Sequence, residues 1–532
     1  MKNKHTLLVL LYTLIIASCA RKGRPDGGPK DKDAPIMVTA KPPYETTNFN
    51  KKNIRIEFDE YIVLKDLIKQ LVVSPPLKNP PLITPQGSPS KYINIKILDT
   101  LKPNTTYTFN FGNAIQDNNE NNKLESFKYV FSTGNYIDSL SLKGSVASAF
   151  KKEKIKEISV LLYKLDSTYN DSIVYKQKPS YVTSTLDSTN FEFTNLREGK
   201  YLLLGLKQSS KNYLFNSQND EIGFFKDTIS LPQDTLITKP IRIFKELQPY
   251  KFKRGKEASK GKILFGFNGE KENMKVDLLS SVPSDFKSFS EFEEGKDTLN
   301  FWYTPIIEQD SLNFIVSNTN FKDTITIRLR KKKIDSLSIT SNIRRTLHLN
   351  DTLILNTNNP IINIDKTKFS LINKDTVDVP FEVKKLENKK IAILFSKKQK
   401  MKYDFNVLPK GIIDLYKTSN DSLNYKFNTL TNEDYGSIIL DIKKETKYPV
   451  IIELLNKDLV LKKKHINSSR KIEFNLLEPK EYTIRAIVDK NSNHQWDTGN
   501  FLSKKQPEQV IYFEKIIKLK PNWFQEEIFT IK

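Results

Sequence analysis

One cysteine in 532 residues rules out an intrachain disulfide, a zinc site built on cysteines and an iron–sulfur cluster. Four histidines (His5, His348, His465 and His494) are too few for a histidine-rich metal centre. No Gly-x-Ser-x-Gly elbow, His-Glu-x-x-His pair or glycine-rich phosphate loop occurs. Composition therefore leans away from an enzyme. Arginine is scarce, at twelve of the 85 basic residues. It is the side chain that reads bases and phosphates bidentately, so a nucleic-acid partner is disfavoured. Beyond the N-terminus no stretch approaches the roughly 18 uncharged apolar residues of a spanning helix.

What remains is lean but sufficient for small cores. Hydrophobic residues are 38% of the chain, and 32 Phe with 22 Tyr can fill several. At about 150 residues per domain the length predicts three to four domains, or about five if each is a sandwich of about 100 residues. Lys+Arg exceed Asp+Glu by 85 − 62 = 23. The basic runs at 251–254, 328–333, 397–402 and 462–464 are scattered and read as solvated faces. Attraction to an anionic membrane or an acidic polysaccharide is the alternative.

The N-terminus carries the clearest signal. Lys2 and Lys4 precede an apolar run from Leu7 to Ile16, followed by Ile16-Ala17-Ser18-Cys19. The run is too short to span a bilayer and reads as an export signal. The only cysteine stands at the expected cleavage point. The segment resembles a bacterial lipoprotein signal, with these four residues as its lipobox. The resemblance implies cleavage before Cys19 and acylation there, which anchors the chain to a membrane without spanning it. Residues 19–33, rich in Gly, Pro and charge, predict a flexible tether. Ala20 is not the Asp that retains lipoproteins at an inner membrane, which favours the outer membrane. Arg21, Lys22 and Arg24 precede the first acid, Asp26, and leave periplasmic or cell-surface display open.

From Asp33 onward short alternating runs predict strands: Ile54-Arg55-Ile56-Glu57-Phe58, Tyr107-Thr108-Phe109-Asn110-Phe111 and Thr324 to Leu329. Leu64 to Leu71 is the best candidate for one helical turn. Two internal repeats sharpen this all-β reading. Phe193, Leu196 and Tyr201 match Phe474, Leu477 and Tyr482, with spacings of three and eight in both copies. Tyr107-x-Phe109 and Tyr129-x-Phe131-x-Thr133 match Tyr403-x-Phe405 and Tyr425-x-Phe427-x-Thr429; Tyr to Tyr is 22 and Tyr to Thr 26 in both. A Leu, a turn and then a Tyr predict tyrosine corners, where a phenol oxygen ties down a sandwich crossover.

Asp33-Ala34-Pro35, Ile56-x-Phe58 with Glu60, Leu101-x-Pro103-Asn104-Thr105-x-Tyr107 and Phe131-Ser132-Thr133 resemble a bacterial Ig-like domain of the SbsA type. The 144–245 and 436–532 units are similar to transthyretin-like or Cna-B-like sandwiches. The whole order resembles Ig-like-domain lipoproteins of Bacteroidota. The resemblance implies tandem β-sandwiches: signal 1–18, tether 19–33, an SbsA-type Ig-like domain 34–137 and a transthyretin-like sandwich 138–245. A further Ig-like domain 246–337, containing Phe301-Trp302-Tyr303, would follow. A degenerate Ig-like domain 338–433 and a second transthyretin-like sandwich 434–532 would close the chain. The resemblance transfers no catalytic residue.

One loop invites a ligand. Asp489, Asn491, Asn493, Gln495 and Asp497 alternate as the oxygen donors of a calcium loop do. His494 stands where such loops have Gly, and Asn500 where they have a bidentate Glu. A polar hairpin turn explains the same residues. The repeat places Gln208, Ser210, Asn212, Leu214 and Asn216 there, with no carboxylate. Structural calcium is the one cofactor considered. Residues 117–122 read as a solvated loop. Trp302, Trp496 and Trp523 are candidates for a sugar platform or, more simply, for packing.

The expectation is a non-enzymatic, lipid-anchored envelope protein. It would serve as a structural and protein-interaction scaffold, with envelope proteins as partners, as in an accessory subunit of an outer-membrane assembly or secretion machine. A glycan-binding lipoprotein and a surface adhesin are the alternatives.

Overall fold

A computed structural model describes residues 30–532. The signal segment, Cys19 and most of the tether lie outside the described residues. The remainder is a series of two-layered β-sandwiches, because period-two patterning gives each strand one apolar face and two such sheets can bury them together.

In the first sandwich the strands Met37–Lys41, Asn53–Leu64, Ser90–Lys96 and Leu82–Thr84 lie in that order, and Ile115–Asp117 joins Asn53–Leu64. The facing sheet is Val72–Ser74, Thr106–Asn110 and Lys128–Ser132. Ile54, Ile56 and Phe58 meet Tyr107, Phe109 and Phe131 in the core. The expected helical turn is Leu67–Gln70. The loop read as solvated is anchored from inside. Asp117 is buried, and its carboxylate accepts the N–H groups of Asn119, Glu120, Asn121 and Asn122 at 2.6–3.1 Å.

Both repeats recur as geometry. The N–H of Lys102 donates to the Tyr107 phenol oxygen at 2.9 Å, and that of Lys398 to Tyr403 at 2.8 Å. Thr133 and Thr429 donate from Oγ1 to the carbonyls of the same Lys102 and Lys398. The Tyr-to-Thr spacing of 26 therefore brings two side chains onto one crossover loop. In the other pair, Tyr201 donates to the Arg197 carbonyl at 2.9 Å and Tyr482 to the Glu478 carbonyl at 2.6 Å.

The second and fifth sandwiches share one topology. In the second, Leu140–Ser148 lies between antiparallel Asn190–Leu196 and parallel Ile241–Ile243. In the fifth, Gly436–Lys444 lies between antiparallel Arg470–Leu477 and parallel Phe524–Ile531. Their other sheets run Tyr181–Ser184, Ser159–Lys164, Gly199–Lys207, Glu221–Phe224 and Leu459–Ile466, Val450–Asn456, Glu481–Val488, Val510–Tyr512. The central strands of these sheets are buried on both faces. Val160, Leu162 and Leu203 enter the inner core, while Leu161, Tyr163, Leu204 and Leu206 form a second cluster outside it.

The third sandwich pairs Lys251–Ser259, Lys262–Asn268, Thr298–Thr304 and Lys287–Phe292 with Lys275–Leu278, Ser311–Asn318 and Phe321–Arg328. The fourth is built likewise around Leu353, Leu355, Ile391, Phe405 and Phe427. Tyr416 of the fourth donates to the Gly261 carbonyl of the third at 2.7 Å. A Cβ at Gly261 would stand 2.6 Å from the Tyr416 ring, so glycine is required there. His348 of the fourth meets the Leu476 carbonyl of the fifth at 2.6 Å through Nε2.

The first sandwich seats on the second. Val72 joins the second sandwich's outer cluster, and the Ser74 hydroxyl accepts the N–H of Val182 at 3.1 Å. Arg197 reaches both the Asp138 carboxylate and the Asn104 carbonyl.

Candidate functional site

The outer faces of the second and fifth sandwiches meet, so the chain returns on itself. Each contributes one phenylalanine to the other. Phe150 follows the first strand of the second sandwich and enters an apolar patch on the fifth. Ile451, Ile487 and Val510 line that patch, with Trp496 and Tyr512 beside them. The Phe150 ring lies 4.6 Å from Trp496, and the Arg485 guanidinium stands 4.0 Å above it. Tyr512 donates to the Phe150 carbonyl at 2.8 Å.

Phe501 makes the return insertion. It is fully buried among Leu161, Tyr163, Leu204, Phe224 and Phe244 of the second sandwich. A tight loop presents it, in which Asn500 and Lys505 exchange backbone hydrogen bonds at 2.8 and 2.9 Å. Its N–H donates to Glu246 at 2.6 Å, and Thr498 donates to the Lys245 carbonyl at 2.6 Å. Gly499 permits the approach, since a Cβ there would lie 2.6 Å from the Phe244 ring. At the rim Lys504 pairs with Asp171 at 2.5 Å, and Lys152 donates to the carbonyls of Phe513 and Glu514.

Charges buried beside the insertion are paired. Glu453 and Arg485 are direct cross-strand neighbours and meet at 2.6 Å. Lys463 takes the other Glu453 oxygen at 2.8 Å. Arg485 also reaches Tyr512, so one cation serves the ion pair, the phenol and the Phe150 ring. Glu246 and Glu508 are set differently. Burial raises the pKa of Glu246 against the N–H of Phe501 and the charge of Lys245. Burial likewise raises Glu508 against the N–H groups of Lys490 and Asp497, and the Asp497 and Asp489 carboxylates add to the rise.

The 489–497 loop lies beside this contact. Asp489, Asn491, Asn493 and Asp497 come together, but largely by bonding one another. The buried Asp489 carboxylate accepts the N–H groups of Asn493 and His494 at 3.1 and 2.9 Å. Asp497 accepts the side-chain amides of Asn491 and Asn493 at 2.6 and 3.1 Å. Gln495 donates its N–H to the Asn493 side chain at 3.0 Å. Among the described residues no group of three or more His, Cys, Asp or Glu side chains is placed to hold a metal ion.

Glu508, unremarked in the sequence, closes the loop by accepting the N–H groups of Lys490 and Asp497 at 2.6 and 3.1 Å. Asp220 holds the matching place in the second sandwich and accepts from Asn216 and Gln208. Each acid stands two residues before the residue paired with Leu206 or Ile487 on the return strand. Along the chain the separations differ, 220 − 206 = 14 residues against 508 − 487 = 21, so no common spacing marks the two acids in the sequence.

The tryptophans do not form a platform. Trp302 is buried, Trp496 packs on Phe150, and Trp523 is half-exposed with Lys520 4.7 Å above its ring. A cleft of about 840 Å³ opens between the first and second sandwiches, lined among others by Asn110, Lys128, Thr183, Asp187 and Glu192. Burial lowers the Lys128 pKa there, opposed by Glu192.

Residues 31–133 match the family model described as bacterial Ig-like domain. A search of curated proteins finds no match. Among solved structures, the S-layer protein SbsC, domains 5-6, is similar at 10% identity, covering 35% of this chain and 99% of that one, with a TM-score of 0.17. A chimeric titin Z1Z2 is also 10% identical, covering 35% and 97%, with a TM-score of 0.16. The N-terminal eight Ig domains of Down Syndrome Cell Adhesion Molecule are 8% identical, covering 95% and 61%, with a TM-score of 0.14.

Proposed function

We propose that this protein is a non-enzymatic scaffold of the cell envelope, moored to the outer membrane by acyl chains on Cys19 and holding other envelope proteins at fixed positions. The observation that carries the reading is the reciprocal insertion of Phe150 and Phe501. A freely jointed string of sandwiches takes many shapes, whereas closure between the second and fifth removes that freedom and presents loops and sheet edges at set separations. The first sandwich, nearest the tether, seats on the same second sandwich, which makes the second sandwich the hub.

The test is purification of the tagged, acylated protein from membranes in mild detergent, followed by quantification of what accompanies it. A stoichiometric outer-membrane partner is the expected result. Recovery of the protein alone at near-purity overturns a stable-subunit role. Loss of membrane association on Cys19→Ala checks the anchor separately.

A further inference from the structure

His465 and His494 take no part in the packing described above, yet they face each other. His465 lies on the edge strand Leu459–Ile466, opposite Ile451, and His494 lies in the 489–497 loop. Their Nδ1 atoms are 3.0 Å apart, and the rings cross at 83°. Both side chains are exposed. The buried Asp489 accepts the N–H of His494, and its Oδ2 lies 4.0 Å from the His494 Nδ1.

We propose that this pair binds a divalent transition-metal ion of the zinc or copper class through both Nδ1 atoms. Two nitrogens bound to a tetrahedral ion at about 2.0–2.1 Å stand about 3.3 Å apart, so the rings need to open by only about 0.3 Å. In the metal-free neutral pair one Nδ1 carries a proton and the other accepts it. On binding, that proton moves to the Nε2 of its own ring, both Nδ1 lone pairs go to the ion, and no net proton is released. Water completes the coordination, and Asp489 is placed to orient a bound water from outside. Imidazole donors rank copper above zinc, while calcium and magnesium, which take oxygen ligands, are refused. The ion would tie the edge strand to the loop that carries Trp496, bracing the contact between the second and fifth sandwiches.

The test titrates copper(II) and zinc separately into the full chain in detergent, without a polyhistidine tag. Calorimetry and Trp fluorescence are the readouts. The expected result is one equivalent bound, tighter for copper, with affinity falling at least tenfold in both His465→Ala and His494→Ala and unchanged by excess calcium. Absence of one-equivalent binding for both metals, or undiminished affinity in either variant, overturns the proposal. Both side chains are exposed, so near-ultraviolet circular dichroism should show the variants folded; His465→Gln or His494→Gln replaces the alanine variant at the same position where it is not.

Discussion

Strand Lys262–Asn268 of the third sandwich and strand Gly199–Lys207 of the second are buried in opposite patterns. In the third, Lys262–Asn268 buries Ile263, Phe265 and Phe267, and no residue between them is fully buried. In the second, every residue from Tyr201 to Leu206 is buried. Alternation satisfies a sheet with one core. A continuous apolar run needs a second core on the other face. The second sandwich finds it in Val72 of the first and Phe501 of the fifth. A run buried on both faces marks a second neighbour: the third sandwich has one such strand, Leu299 to Tyr303, with Lys389 of the fourth 5.0 Å from its Trp302 ring, whereas the second has two adjacent ones, which makes it the hub and the third a spacer.

The comparison is broken most forcefully at the inserted ring. Phe501→Ala should cost about 3–5 kcal/mol. It should speed hydrogen exchange in both Gly199–Lys207 and Glu481–Val488, which mass spectrometry reads strand by strand. Phe314→Ala in the third sandwich should cost a similar amount yet leave those two strands protected. Equal exposure of them by both variants would erase the distinction between hub and spacer.

Arg485→Met should come next, at about 3 kcal/mol in denaturant unfolding, because Glu453 stays buried with only Lys463 as a partner. Replacing Glu453 and Arg485 together by apolar residues should recover most of that loss.

Acidity separates hub from periphery more gently. Glu246 and Glu508 have raised folded-state pKa values, so their ionisation opposes the folded state. Stability from these two groups is fully present below the unfolded Glu pKa of about 4.3 and is lost as pH rises through the folded values. Corrected for the intrinsic pH dependence of amide exchange, protection of the strands around these two groups should therefore rise as pH falls through the folded values. Asp117 behaves in the opposite sense. Burial alone would raise it, but four backbone N–H groups outweigh that and hold it low. Its loop should keep its stability above the unfolded Asp pKa of about 3.9 and lose it as pH falls through the lower folded value.

The smallest effect concerns calcium. The loop's carboxylates already accept internal N–H donors, so millimolar calcium or its removal should move the Tm by less than about one degree. A rise of several degrees would mean that Asn491 and Asn493 turn their side-chain oxygens inward and that the loop is a calcium site.

Strand alternation, the tyrosine corners and both repeats were legible because each rests on contacts local in sequence or on spacings two copies share. Tyr201 to Arg197 is a separation of four residues, and Tyr482 to Glu478 repeats it. The hub was not read, since Phe150 and Tyr512 are 362 residues apart and Phe501 and Glu246 are 255 apart. A signal for it existed in Val160 to Tyr163, Leu202 to Leu206 and Val450 to Leu455, the last interrupted only by Glu453, which are too apolar on both faces for one-sided strands. The candidate loop was legible as a cluster, because alternate polar residues converge in any tight turn. Its donor pattern was not, since that depends on Glu508 from the far side of the hairpin.

The central claim is that the fifth sandwich docks on the second within one chain. Lys504 and Asp171 meet at 2.5 Å across that contact and are both partly exposed, so a zero-length carbodiimide cross-link on dilute monomer tests it directly. Lys207 with Glu221 and Lys471 with Glu526 lie within single sandwiches at 2.8 and 2.5 Å and report that the chemistry has worked. Mass spectrometry should find the 171–504 peptide pair alongside these two, and finding the two without it would contradict the folded-back chain.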